Sequence, residues 1–302
     1  MRILITGVSG FLGRHLASTL LTDGHEVFGL GLADGGTAGV VEEHVDVLDR
    51  SALQAAIRRI DPASVVHLAG LSHVGESWVR MPSYFAVNVM GAENVVAAAG
   101  DRQVILASSC EVYGAVPEDE QPIAEDRPPA PRNPYGLTKA AAERFVLGAG
   151  GLVVRMFNLV GPGQSSEFAL PSFAAQLAAQ CSEASATLSV GNLEARRDFV
   201  HVADAADAFV ILLRDGARGE IYNLASGDPV SIEDALNELI QVADMAVTVR
   251  VDPARLRPVD VPLVCGTASN LEALGWTARR GRVQGLEDLW RATVSATTDA
   301  ST

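Results

Sequence analysis

The stretch Arg2-Ile3-Leu4-Ile5-Thr6-Gly7-Val8-Ser9-Gly10-Phe11-Leu12-Gly13 decides how the rest of the chain is read. Arg2–Thr6 has the composition of a short buried strand, and a helix is expected from about Phe11 to Thr22. Glycines at 7, 10 and 13 fall where the strand turns into the helix. Glycine there permits a tight turn, close backbone approach to a pyrophosphate, and close helix–strand packing. The positive end of the helix dipole then faces the phosphates. Gly7, Ser9, Gly10, Phe11, Leu12 and Gly13 form a candidate dinucleotide cradle.

The next segments extend the same pattern. Glu26–Leu32 reads as a second strand, at whose end an NAD site often carries an acid for the ribose hydroxyls. Here the strand closes Gly29-Leu30-Gly31-Leu32, and Asp34 comes only after Ala33. Arg14, just past the glycine turn, can meet a 2′-phosphate or sit solvated on the helix. The missing acid tips the choice from NAD to NADP. Val40–Val47 reads as a third strand, with Asp46 and Val47 where it ends and Asp46 in reach of an adenine. Asp49 is a good N-cap for the following helix. Ser64–Ala69 is a fourth strand, of the kind buried on both faces. Its end, Leu68-Ala69-Gly70, is small enough for a ligand to approach. A long helix is expected over about Ser83–Ala99, with Asn88 in a structural role. Gln103–Ser108 is the fifth strand. The alternation predicts an α/β fold, a Rossmann-type doubly wound parallel sheet with its ligand at the strand carboxyl ends.

The fifth strand delivers Ser108-Ser109-Cys110-Glu111-Val112-Tyr113-Gly114. A Pro-rich acidic loop, Ala115–Arg132, leads to Asn133-Pro134-Tyr135-Gly136-Leu137-Thr138-Lys139. Asn133 is a suitable N-cap and Pro134 suits the first helical position. Tyr135 and Lys139 are one turn apart, so they share a helix face. An ammonium beside a phenol stabilises phenolate, so the Tyr135 pKa is expected to fall from about 10. Tyr135 becomes a candidate acid/base with Lys139 as its tuner, and the serines can hydrogen-bond the same substrate oxygen.

Bulk properties narrow the function. The 302 residues are 48% hydrophobic and 20% charged, with a formal net charge of −14. This composition suits a folded core and argues against a broad nucleic-acid or anionic-membrane surface. Cys110, Cys181 and Cys265 are too few and too scattered for a disulfide framework or a metal knuckle. No metal site is expected, and a reducing, cytoplasmic setting is. No signal-peptide core or membrane span is evident.

The second half changes character. Leu152–Met156 reads as a strand with Arg155 near its end, and Phe157–Gln164 as a loop. Helices are expected near Ala169–Ala179, Val202–Leu213, Ile232–Val242, Ser269–Leu274 and Val283–Thr293. Short strands are expected at Thr187–Val190, Ile221–Leu224 and Val247–Val251. The expected division is a dinucleotide-binding domain over 1–160, joined again by about 195–225, and a smaller α/β substrate-binding cap drawn mainly from 161–302.

Taken together, the pieces resemble the extended short-chain dehydrogenase/reductases that modify nucleotide sugars. They are Thr6–Gly13, His67–Gly70, Ser108–Gly114, Tyr135–Lys139, Arg155–Asn158 with Gly161–Gly163, Val190–Phe199, and Arg257-Pro258-Val259-Asp260-Val261-Pro262. The likeness spans nearly the whole chain and leans to the GDP-hexose branch, which holds both a 4,6-dehydratase and a 4-keto-6-deoxymannose reductase. It implies that Ser109, Tyr135 and Lys139 are catalytic and that Lys139 also holds the nicotinamide ribose. It implies that Asn158, Arg197 and Arg257 hold a nucleotide diphosphate, with Asp260 at the nucleoside ribose and His73 on the substrate side. Glu111 falls where the dehydratases keep a base, and Cys110 where some keep an acidic proton donor. A thiol is a poorer acid for that task. The resemblance therefore implies an NAD(P)-dependent enzyme acting at C4 of a nucleotide-activated hexose, foremost a reductase of a 4-keto-6-deoxy sugar. A 4-epimerase or 4,6-dehydratase retaining its cofactor, and a non-enzymatic dinucleotide-sensing protein, are the alternatives. Related enzymes dimerise through the Tyr135 helix, so a homodimer is expected, with Ala140–Ala142, Phe145 and Val146 at the interface or in the core.

Overall fold

The computed structural model describes residues 1–33, 35–256 and 261–299. The chain begins with β1 (Arg2–Thr6), α1 (Phe11–Thr22), β2 (Glu26–Gly31), β3 (Val41–His44), α2 (Arg50–Ile60) and β4 (Ser64–His67). Two short helices follow, α3 (Val74–Ser77) and α4 (Met81–Tyr84). A π-helical segment, Phe85–Met90, joins α4 to α5 (Gly91–Ala99). Then come β5 (Gln103–Ser109), α6 (Pro134–Gly148), β6 (Leu152–Met156), β7 (Asn158–Val160), α7 (Ala169–Ala178), β8 (Ala186–Val190), β9 (Arg196–His201), α8 (Val202–Asp215) and β10 (Ile221–Leu224).

Seven of these strands form one parallel sheet in the order β3-β2-β1-β4-β5-β6-β10. The chain winds outward from β1 to β3, crosses back to β4, and winds outward the other way. The strand order reverses between β1 and β4, where a doubly wound sheet opens its ligand crevice at the strand carboxyl ends. One face of the sheet buries Ile3 and Ile5 against Leu16 and Leu20 of α1 and Phe209 and Leu212 of α8. The other buries Leu4 and Val65 against Leu53, Ile57, Val95 and Val146. Strands covered on both faces read as continuous apolar runs, which is why β1 and β4 were evident from sequence.

The remaining elements are β11 (Pro229–Ser231), α9 (Ile232–Ala243), β12 (Val247–Val251), β13 (Leu263–Val264), α10 (Ser269–Ala273) and α11 (Arg282–Asp299). β9 is the hub of a small sheet with β7, β11 and β13, and β8 pairs with β12. A separate core holds Phe173 and Leu177 of α7, Leu236 and Leu239 of α9, and Leu286 and Leu289 of α11.

Three expectations change. Phe157–Gln164 is not all loop: β7 lies inside it, paired with β9 through Asn158 and Phe199. The Gly161-Pro162-Gly163 signal masks that three-residue strand. β9 itself escapes a hydropathy reading because it opens Arg-Arg-Asp, yet Asp198 is fully buried. The helix over Ser83–Ala99 is interrupted by the π segment Phe85–Met90, within which Asn88 makes the tertiary contacts described below. Among the described residues, no helix is long and apolar enough to cross a membrane. No group of three or more His, Cys, Asp or Glu among them could hold a metal ion.

Candidate active site

The glycine turn is fixed by crowding. Gly7 has φ +73°, and a Cβ on it would stand 2.7 Å from the Ala69 amide nitrogen. A Cβ on Gly13 would stand 2.4 Å from the Gly7 carbonyl oxygen. The turn therefore touches both its own helix and the loop leaving β4. α1 begins at Gly10 with no side-chain cap and no acid in its first turn. Its first N–H groups, at Phe11, Leu12 and Gly13, are left for an anionic acceptor. These features fit the diphosphate of a dinucleotide. The Phe11 ring stands edge-on to His15 at 5.7 Å, and His15 Nε2 lies 3.0 Å from the Pro162 carbonyl, linking the turn to the loop after β7. Arg14 is exposed on the next position of α1.

At the end of β4, Thr6 Oγ1 lies 2.7 Å from His67 Nδ1 and accepts from the Ala69 amide at 3.3 Å. Burial and then the Lys139 charge hold His67 far below the usual imidazole range, at about 3, so it is neutral. A Cβ on Gly70 would stand 3.0 Å from Asn88 Oδ1 and 3.8 Å from Lys139 Nζ. Leu68-Ala69-Gly70 thus runs from the glycine turn to Lys139. Beyond β3, Asp46 is exposed and its carboxylate accepts from the Leu48 amide at 2.9 Å. Val47 is buried against Gly91, and its carbonyl accepts from Asn94 Nδ2 at 3.0 Å. The acid missing from the end of β2 has a counterpart: Glu42, on β3, accepts from the Gly35 amide. The sequence alone misses it, because its position depends on how β3 pairs with β2.

Ser109 closes β5, and its Oγ accepts from the Glu111 amide at 3.2 Å. Asn133 caps α6, its Oδ1 accepting from the Gly136 amide at 2.7 Å, while its Nδ2 donates to Glu111 Oε2 at 2.7 Å. A Cβ on Gly136 would stand 2.5 Å from the Glu111 carbonyl. Only glycine lets the first turn of α6 press so closely on the Ser109–Glu111 turn. Asn88 supports the same helix from the π segment. Its Oδ1 accepts from the Leu71 amide at 2.8 Å, and its Nδ2 donates to Thr138 Oγ1 at 3.0 Å. π segments often occur where a side chain must be re-aimed at a site. Tyr84 stands edge-on to the Tyr135 ring at 6.4 Å and donates to the His73 carbonyl at 2.7 Å.

The electrostatics reverse one expectation. The Tyr135 phenol is buried, and burial pushes its pKa above the ordinary value. The Ser109 hydroxyl pulls it down and Glu111 pushes it up, but desolvation dominates. Lys139 is itself desolvated and held at about 8, against a pull upward from Glu143. Spacing predicted an acidified tyrosine; burial supplies a tyrosine loaded with its proton. Cys110 is likewise buried, and desolvation pushes its thiol up.

Ser108 faces away from Ser109 and is fully buried. Its hydroxyl donates to Glu143 Oε1 at 2.6 Å, so its side chain is committed to α6, against the expectation that both serines reach the bound substrate or cofactor. Glu143 is one further turn along the Tyr135–Lys139 face and meets Arg155 Nη2 at 2.8 Å, both partners buried. Arg155 lies 4.7 Å over the Tyr113 ring, whose hydroxyl donates to Asn223 Oδ1 at 2.6 Å.

On the substrate side, His73 caps α3 by accepting from the Glu76 amide at 3.1 Å, and its ring meets Phe168 edge-on at 6.1 Å across the cleft. Asn158 is half-buried on β7. Arg197 on β9 donates to the Val261 carbonyl at 2.7 Å and lies close enough to Cys110 to favour its thiolate. Arg257 and Asp260 lie outside the described residues. Asp198, which sequence reading passed over, accepts from Ser226 N at 2.8 Å, Gly227 N at 3.0 Å and Gly266 N at 3.3 Å. The loop Ala115–Arg132 does more than edge the site. Gln121 donates to the Leu263 carbonyl and accepts from the Cys265 amide, both at 2.8 Å, which ties it to β13.

Residues 3–225 match the model described as the NAD dependent epimerase/dehydratase family. The chain is 33% identical over 287 residues to GDP-6-deoxy-D-mannose reductase of Pseudomonas aeruginosa, covering 91% of each chain. The solved structure of RMD from Pseudomonas aeruginosa complexed with NADPH superposes with TM-score 0.85 at 30% identity, covering 98% of this chain and 99% of that one. UDP-glucose 4-epimerase of Thermus thermophilus, complexed with NAD, superposes with TM-score 0.89 at 29% identity, covering 98% of this chain and 100% of that one. The chain is thus an enzyme of the NAD(P)-dependent epimerase/dehydratase family, on an extended short-chain dehydrogenase/reductase fold.

Proposed function

We propose that the chain reduces the C4 ketone of a nucleotide-activated 4-keto-6-deoxyhexose, GDP-linked, with NAD(P)H. The observation that carries this is the buried Tyr135 phenol beside the Ser109 hydroxyl at the end of β5. Reduction needs an acid at the ketone oxygen, and a loaded phenol is one. The bound reduced nicotinamide supplies the hydride. Tyr135 gives its proton to O4, Ser109 holds the same oxygen, and the Lys139 ammonium stabilises the phenolate left behind. Arg197 and Asn158 are assigned to the nucleotide diphosphate, a task suited to guanidinium. Arg257 and Asp260 are assigned, from sequence, to the diphosphate and the nucleoside ribose. The 33% identity to a named GDP-6-deoxy-D-mannose reductase supports the GDP-linked substrate.

Glu111 favours a second reading. Its carboxylate is fixed by Asn133 beside Ser109 and could act as a base in a 4-epimerase or 4,6-dehydratase that recycles its cofactor. The protein is assayed for NAD(P)H oxidation against a panel of nucleotide 4-keto sugars, and purified protein is denatured to count released cofactor. Turnover with little retained cofactor is expected. Near-equimolar retained NAD without turnover would favour the second reading.

The working form is proposed to be a cytoplasmic homodimer. The three cysteines are free thiols, as a reducing compartment would keep them. Of the residues read from sequence as interface or core, Ala142 and Val146 are fully buried within the chain, while Phe145 is 43% exposed. Leu137 on the same helix, and Phe85 and Met90 on the neighbouring one, are also exposed.

A further inference from the structure

β2 and β3 pair in register Gly29 with Glu42, Leu30 with Glu43 and Gly31 with His44. Alternation along β3 sends Glu43 to Arg59 of α2 and Glu42 to the opposite face. There the Glu42 carboxylate accepts from the Gly35 amide, in the segment that follows β2. The place a Cβ would take on Gly35 lies 3.1 and 3.3 Å from the two carboxylate oxygens and 3.2 Å from the Ser9 Cα. The corresponding place on Gly31, the last residue of β2, lies 3.5 Å from Ser9 Oγ. The carboxylate is therefore beside the third residue of the glycine turn, at the carboxyl end of β2.

That is where a dinucleotide held on this turn presents its adenosine ribose. A carboxylate there accepts from the vicinal 2′- and 3′-hydroxyls. A 2′-phosphate would bring a second negative charge against it. We infer that Glu42, reaching across from β3, takes the place of the acid that β2 lacks and selects NAD(H) over NADP(H). This runs opposite to the preference for NADP drawn from the missing acid and Arg14. It rests on the reading of Gly7–Gly13 as the dinucleotide turn. Family likeness does not decide it, since one solved relative carries NADPH and another NAD.

The test is equilibrium binding of NADH and of NADPH to the full chain, followed by nucleotide fluorescence, for the native protein and for Glu42→Gln. Glutamine keeps an acceptor for the Gly35 amide, and a thermal melt checks that the variant is folded. The native protein is expected to bind NADH at least about tenfold tighter, a difference of about 1.4 kcal/mol. Glu42→Gln should weaken NADH and tighten NADPH until the preference is lost. Tighter binding of NADPH by the native protein, or an NADH preference unchanged in the variant, would overturn the assignment to Glu42. Binding of neither nucleotide would overturn the dinucleotide turn itself, and the selectivity with it.

Discussion

Tyr135 shows how far a residue's chemistry can be taken from its neighbours in sequence. The four-residue spacing to Lys139 and the cap at Asn133 were legible because they depend only on helix geometry. The direction of the pKa shift was not, because it is set by burial, which only the fold produces. Tyr135→Phe removes the proton but keeps the ring contact with Tyr84. It is expected to lower kcat by about 10²–10⁴-fold, with nucleotide-sugar binding preserved. Lys139 carries a pH signature. Its pKa lies at about 8, so raising the pH through that value removes the charge that stabilises the phenolate. A profile of kcat/KM for the reduced cofactor, which reports the free enzyme, should fall above about pH 8. In Lys139→Met the activity should be low and that limb absent. Glu42 marks the opposite limit of legibility: nothing in its local sequence distinguishes it from Glu43, and only the pairing of β3 with β2 turns one to α2 and the other to the glycine turn.

α6 is the element on which the site depends. One face of it presents Tyr135, Lys139 and Glu143 at successive turns. Glu143 anchors the far end through Arg155 and Ser108 in a buried cluster. Removing one partner leaves an uncompensated charge away from water. Glu143→Gln or Arg155→Met alone should therefore cost about 3–5 kcal/mol in urea unfolding, and the double replacement less than the sum. A cost near zero for either single change would show that the pair is not holding the helix. The strand–helix alternation that places α6 was evident from hydropathy. Among the strands that escaped, β7, β11 and β13 are short and β9 opens with polar residues whose partners are remote in sequence, such as Asp198 with Ser226, Gly227 and Gly266.

At the scale of the whole molecule, the small sheet around β9 is joined to the loop before α6 by polar ties and not by apolar packing alone. Asp198 and Gln121 gather β9, β13 and the loop before α6 onto one another, and Phe168 meets His73 across the cleft. The outer face is different. Leu137, Phe145, Phe85 and Met90 leave an apolar strip on adjacent helices. Sedimentation should find a particle of twice the chain mass, and Phe145→Glu should shift it towards the monomer. A monomeric native protein would contradict the proposed interface.

The central claim is hydride transfer to C4 with release of the oxidised cofactor. The most direct measurement supplies reduced cofactor deuterated at the transferred position together with GDP-4-keto-6-deoxymannose, and locates the label by NMR. The expected result is a 4-hydroxy sugar carrying deuterium at C4, formed in step with cofactor oxidation over many turnovers. Cofactor left unoxidised, or a product without deuterium at C4, would contradict it.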